Sequence, residues 1–238
     1  MLVRHAAAVL AFAASMQVPA AFAARPFVTD DARIVDEGGC QIETFSKHQR
    51  RSSEREFWFL PGCTPAGPVE LTFGGIKTGE IKTDDAIDAA SSSVIAQAKT
   101  LIRPLRPNDF GVAVTLGATR LNPILPAHAA GWSPYFNLVT SLSLLDDRAF
   151  VHANLGALRD RPAAITRPTW GLGAEIALGP RLFGIVETYG QQGEHPSRQI
   201  GLRFWVVPNR FQIDATLGSQ VRRTPTDVWT SLGVRLLF

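Results

Sequence analysis

From Cys40 to the terminal Phe238, apolar residues alternate with Gly, Ser, Thr and charged residues in successive runs of roughly ten. A period of two marks a β-strand with unlike faces, and about ten residues is the length of a tilted strand that crosses a bilayer. The last run is the clearest. Thr230, Leu232, Val234, Leu236 and Phe238 share one face, and Ser231, Gly233 and Arg235 share the other. The same alternation sets Phe211, Ile213, Ala215 and Leu217 against Gln212, Asp214 and Thr216, and sets Ile200, Leu202, Phe204 and Val206 against Gly201 and Arg203. Together the runs predict about twelve strands, over 40–48, 54–60, 69–76, 91–102, 109–119, 133–144, 148–158, 168–178, 182–189, 198–207, 210–218 and 227–238.

The connections between these runs alternate in length. Residues 103–108, Asp146-Asp147, 179–181 and Pro208-Asn209 are short, whereas 79–90, 121–132, 159–167, 190–197 and 219–226 are long. Short turns at one end, long loops at the other and an even strand count describe a transmembrane antiparallel up-and-down β-barrel with both termini periplasmic. Register agrees, because residues of one face must meet the same face across a hairpin. Around Pro208-Asn209, Arg203 falls opposite Asp214; around Asp146-Asp147, Ser141 and Ser143 meet the face of His152 and Asn154. A soluble β-sandwich would also show alternating strands. A polar face on nearly every strand argues against it, as do aromatic residues near strand ends: Phe110, Phe211 and Phe238 on the periplasmic side, Trp132, Trp170 and Trp229 on the other.

The start of the chain points to export. Arg4 precedes the apolar run Ala6 to Ala14, and the small-residue site Ala21-Phe22-Ala23 follows Pro19, the pattern of a secretory signal peptide. Beyond it no apolar window of about 18 residues exists, although 45% of the chain is hydrophobic, which excludes helical membrane spans. The expected organisation is a signal peptide over 1–23, a periplasmic N-terminal segment over 24–39 and an all-β barrel over 40–238, in the outer membrane of a Gram-negative bacterium. The net charge of +3 is scattered along the chain, so no nucleic-acid footprint stands out.

The two cysteines match no metal spacing and would enter an oxidising periplasm. Hairpin arithmetic pairs them. The first two strands are joined by Gln49 to Ser53, their symmetry centre lies between Arg51 and Ser52, and Cys40 and Cys63 are equidistant from it. Mirrored positions in an antiparallel pair sit at separations that a disulfide spans.

The segment Val228 to Phe238, with an apolar residue at every second position and Phe at the carboxylate, resembles the C-terminal signal read by the barrel-assembly machinery. Trp229, Leu232, Val234, Leu236 and Phe238 would carry that signal. The mature start, Arg25-Pro26-Phe27-Val28-Thr29-Asp30-Asp31-Ala32, with Gly38 and Glu43 after it, is similar to the opening of outer-membrane transporters grouped as the phenol meta-degradation type. Asn154-Leu155-Gly156, Glu187 with Tyr189-Gly190, and Gly201 to Gly218 with Asp214 resemble that group too. The resemblance implies transport of hydrophobic compounds.

The inward face would carry Glu43, Lys47, Glu56, Glu70, Lys99, His152, Asn154, Glu175, Glu187, Arg203, Asp214 and Arg235. Such charges can select what passes through a solute pathway, or they can plug a narrow lumen with salt bridges. The Arg203, Asp214 and Arg235 cluster favours the structural role. Glu175 and Glu187 stand on adjacent strands and repel unless lumen water solvates them. Two function classes remain open: a passive channel or transporter for small compounds, hydrophobic or aromatic ones included, and a structural barrel that transports nothing. A lipid hydrolase is a third reading, because His195 and Ser197 lie two apart beside an external loop; Pro196, Arg198 and Gln199 speak against it. Partners would be outer-membrane lipid and lipopolysaccharide, the barrel-assembly machinery and a small-molecule solute. No metal-ligand spacing, phosphate loop or dinucleotide fingerprint points to a cofactor or to catalysis.

Overall fold

The computed structural model describes residues 27–50, 54–80, 91–122, 131–160, 164–221 and 228–238. The signal peptide expected over 1–23 lies outside them. Among the described residues twelve strands close into one antiparallel barrel: β1 (Cys40–Gln49), β2 (Glu54–Ala66), β3 (Val69–Glu80), β4 (Ser91–Arg103), β5 (Phe110–Asn122), β6 (Trp132–Leu144), β7 (Ala149–Asp160), β8 (Ile165–Ala177), β9 (Leu182–Gln191), β10 (Ser197–Val207), β11 (Phe211–Gln220) and β12 (Val228–Leu237). Each strand pairs with its neighbours in sequence, and β1 pairs with β12 to remove the last edge.

The strands follow the expected runs closely, with β2 and β3 longer than local composition indicates. β2 continues through Pro61 and Gly62 to Ala66 because Ile42 and Gln41 stand opposite those two residues. The pairing strand, not the intrinsic preference of Pro and Gly, sets this boundary. At the short-turn end, Asp146, Asp147 and Asn209 take positive φ of 54°, 63° and 56°. Asp and Asn tolerate the left-handed region, which explains their use in these turns. Arg203 stands opposite Asp214 across β10 and β11, and Ser141 stands opposite His152 across β6 and β7.

The outer face is apolar, with Leu232, Phe73 and Leu155 among its most exposed side chains. A surface of this kind is a liability in water and the solvent-facing side of a barrel in lipid. Phe110 and Phe238 are exposed at the periplasmic end, and Trp132 and Trp170 at the other. Trp229 departs from this belt. It is buried inside the lumen, on the face of Ser231 and Arg235, and its indole N–H donates to Gln199 Oε1 at 3.3 Å. The period of two accounts for the correction, since position 229 falls on the opposite face from Leu232, Val234, Leu236 and Phe238. Those four residues point outward; Trp229 does not belong to their array.

Inside, side chains from the wall and from the chain's own N-terminus fill much of the space. Gly38 donates its N–H to Thr64 O at 2.7 Å at the periplasmic rim, and the chain preceding it turns up into the lumen. Thr29, Asp31, Ala32, Arg33, Ile34 and Val35 are buried there. Val35 packs with Phe183, Trp205 and Leu237, and Ala32 packs with Ala113 and Val139.

Candidate functional site

The barrel wall holds the N-terminal segment mainly by its backbone. Glu187 accepts N–H bonds from Val28 at 2.8 Å and from Thr29 at 2.8 Å, and a side-chain bond from Gln199. Asn154 Oδ1 accepts from Asp30 N at 2.5 Å while its Nδ2 donates to Asp30 O at 3.0 Å. Ser141 Oγ accepts from Ala32 N at 2.8 Å, and Glu70 accepts from Val35 N at 2.9 Å. An extended segment inside a barrel has no ladder partner, so each of these wall acceptors satisfies a backbone donor that burial would otherwise leave unpaired.

Charges are matched across the lumen. Glu175, almost fully buried, has Arg33 Nη2 and Arg203 Nη1 each at 2.8 Å and His152 Nε2 at 3.9 Å. The other ring nitrogen of His152, Nδ1, lies 2.8 Å from Ser141 Oγ, and the Phe27 ring packs against the imidazole in a T-shaped arrangement with centroids 5.4 Å apart. Lys99 Nζ lies 2.6 Å from Asp30 and 3.4 Å from Asp31. Arg235 Nε donates to Gln41 at 2.7 Å and lies 3.3 Å from Glu43. Asp214 is buried opposite Arg203 and Gly233 in the register. Thus all seven lumen candidates, Glu175, Glu187, Arg203, Asp214, Arg235, His152 and Asn154, are buried inside the barrel.

Lumen water was the expected environment of Glu175 and Glu187, and this is corrected. Each carboxylate has its own donors, two arginines for one and two backbone amides for the other, so neither depends on solvent. The residues that provide this, Val28, Thr29 and Arg33, lie in a segment with no period to read. Within it a cluster of charges, Asp30, Asp31 and Arg33, is complementary to Lys99 and Glu175.

A disulfide joins Cys40 and Cys63, whose Cα atoms stand opposite each other 4.1 Å apart at the periplasmic rim. His195 is exposed and Ser197 opens β10 opposite Tyr189; no hydrogen bond among the described residues joins His195 to Ser197. Nucleophile activation requires such a bond. Among the described residues no group of His, Cys, Asp and Glu is placed to hold a metal ion.

Among the described residues, three cavities lie along this N-terminal segment, which forms a plug in the lumen. An external vestibule of about 950 Å³ has Phe27 to Asp31 at its floor and Lys47, Glu56, His195 and Ser197 near its mouth. Phe45, Trp58, Tyr135, Tyr189 and Trp229 line it, with Phe45 and Trp58 stacked at 5.0 Å and Lys47 held 5.1 Å over Trp229. A smaller cavity of about 200 Å³ lies beside Asp30 and Arg33. A third, of about 460 Å³, opens at the periplasmic end near Leu101, Pro104 and Phe150.

A closed twelve-stranded barrel with an apolar exterior and a polar interior is an outer-membrane β-barrel of the porin-like type. Its fold is similar to the KdgM porin, with a TM-score of 0.62 at 11% identity over 83% of this chain and 99% of that one. The NanC porin aligns with a TM-score of 0.58 at 8% identity over 82% and 98%. An active-site mutant of outer membrane phospholipase A from Escherichia coli aligns with a TM-score of 0.50 at 8% identity over 89% and 92%. Curated protein sequences give no match. The chain belongs to the family described as "Uncharacterised conserved protein UCP029691", whose model matches residues 8–238.

Proposed function

We propose that the mature chain, freed of residues 1–23, acts as a passive outer-membrane channel for small solutes with a flat apolar face, hydrophobic and aromatic compounds included. The observation that carries this reading is the vestibule. Water-filled barrel interiors are polar. Here Phe45, Trp58, Tyr135, Tyr189 and Trp229 turn inward around a cavity whose wall also includes polar and charged side chains, among them Gln97, Asn154, Gln199, Lys47 and Glu56. Aromatic faces with a few polar groups between them suit a ring that stacks on one side and hydrogen-bonds at its rim. The likeness of the fold to KdgM and NanC, both porins, supports a channel. The resemblance of 25–32 and of Glu187 with Tyr189-Gly190 to phenol meta-degradation transporters supports the solute class.

Planar-bilayer conductance and liposome swelling test the proposal. The folded protein is expected to show conductance steps and to admit a phenyl glycoside faster than a saccharide of equal size. A folded barrel with neither conductance nor uptake would be a structural barrel, which the buried ion pairs around Glu175 favour.

A further inference from the structure

The lipid-facing surface of the barrel carries cations at its external end. A strand residue faces outward when its neighbours in the chain line the lumen, and by this parity the outward faces of the described strands hold no Asp or Glu. They do hold Arg55 of β2, Lys77 of β3, Arg120 of β5, Arg159 of β7 and Arg198 of β10, all beside the long loops. At the periplasmic end Arg103 is already paired with Asp109 at 2.7 Å.

Arg55, Lys77 and Arg120 are exposed and grouped. Arg55 stands opposite Gly79, Lys77 opposite Phe57 and Ser92, and Arg120 opposite Val94 and Trp132. Arg55 and Lys77 are thus diagonal neighbours with Cβ atoms roughly 7–8 Å apart, and only β4 separates Lys77 from Arg120, about 10 Å. No salt bridge among the described residues involves any of the three. A Cβ on Gly79 would meet nothing within 4 Å, so space is open beside Arg55. Toward the middle of the membrane the same faces turn apolar, with Phe57, Phe59, Phe73, Leu116 and Phe136 exposed. Between Phe73 and Leu116, β4 presents only Ala96 and Ala98 outward, which leaves room for an acyl chain along the strand. Exposed Trp132, next to Arg120, marks the level of the membrane interface.

We propose that this outer face of β2–β5 binds a phosphorylated glycolipid of the external leaflet, lipopolysaccharide, with Arg55, Lys77 and Arg120 on its phosphates and its acyl chains along β4. Charge complementarity carries the choice of partner. Cations are costly facing hydrocarbon at the midplane but not at headgroup level, where they attract anionic lipid. A guanidinium also meets phosphate oxygens through paired donors. The three cations span four strands, about 14 Å, a width that suits a headgroup with several phosphates better than a single phosphodiester. The site lies outside the lumen, so it is independent of whether solute passes.

The folded mature protein in detergent is titrated with bisphosphorylated lipid A, with dephosphorylated lipid A and with phosphatidylglycerol, and bound lipid is counted by native mass spectrometry. Bisphosphorylated lipid A is expected to bind most tightly, with an affinity that falls as salt rises. The triple variant Arg55→Glu, Lys77→Glu, Arg120→Glu should lose affinity on the order of tenfold or more while keeping heat-modifiable mobility, since these side chains leave the lumen untouched. The corresponding triple Gln variant carries the same test if the Glu form does not fold. Arg198→Glu, on β10, should leave affinity nearly unchanged. Wild-type affinity in the folded triple variant would overturn the proposal, as would equal binding of dephosphorylated lipid A or of phosphatidylglycerol, or an equal loss in Arg198→Glu.

Discussion

Glu187→Gln probes how the plug is anchored. The carboxylate is almost fully buried; one oxygen accepts from Thr29 N at 2.8 Å, and the other accepts from Val28 N at 2.8 Å and from Gln199. An amide of the same shape has a single acceptor oxygen, so in either orientation its NH₂ faces a backbone donor. At least one hydrogen bond to a charged acceptor is lost, worth about 1.5–3 kcal/mol. By affinity arithmetic this raises the detached fraction of the segment about ten- to a hundredfold. Barrel closure through β1 and β12 is untouched, so heat-modifiable gel mobility should persist. Hydrogen exchange reads the effect directly, with protection of the Val28 and Thr29 amides expected to fall by that factor. Unchanged protection in a folded variant would refute the view that Glu187 holds the segment in place.

Glu175→Ala leaves Arg33 and Arg203 buried without their shared acceptor and should cost about 3–5 kcal/mol, read as a lower unfolding temperature. A double-mutant cycle of Glu175 with Arg203 should show coupling, and additivity would argue against direct contact. Reduction of Cys40–Cys63, which closes a sequence separation of 23, should lower stability by about 3 kcal/mol; alkylation of two free thiols in non-reduced protein would contradict the bond. Deleting Phe238 removes the residue whose N–H and C=O bond Cys40, and the yield of assembled barrel is expected to drop. Normal yield would mean that the C-terminal array works without it.

The strands, their two faces and the hairpin register are legible in the residues alone because they are local. A period of two assigns Arg203, Asp214 and Arg235 to the interior without reference to any distant part of the chain, and a short turn at Pro208-Asn209 sets which residue each one opposes. The same arithmetic pairs Cys40 with Cys63. Trp229 shows the limit of using composition instead of period: its position near a strand end suggests a membrane belt, and its parity places it inside. What fills the lumen is a different matter. Val28 meets Glu187 across 159 residues, and Arg33 meets Glu175 across 142. These contacts exist because closing β1 onto β12 brings opposite walls within reach of one extended segment. That segment has no periodic face, since it pairs with no strand and takes its partners from several at once. Alternation therefore decides which side chains point inward, and only the closed barrel decides that the interior is bonded to the chain's own N-terminus, through Glu70, Lys99 and Thr115 on one side and Ser141, Asn154, Glu175 and Glu187 on the other.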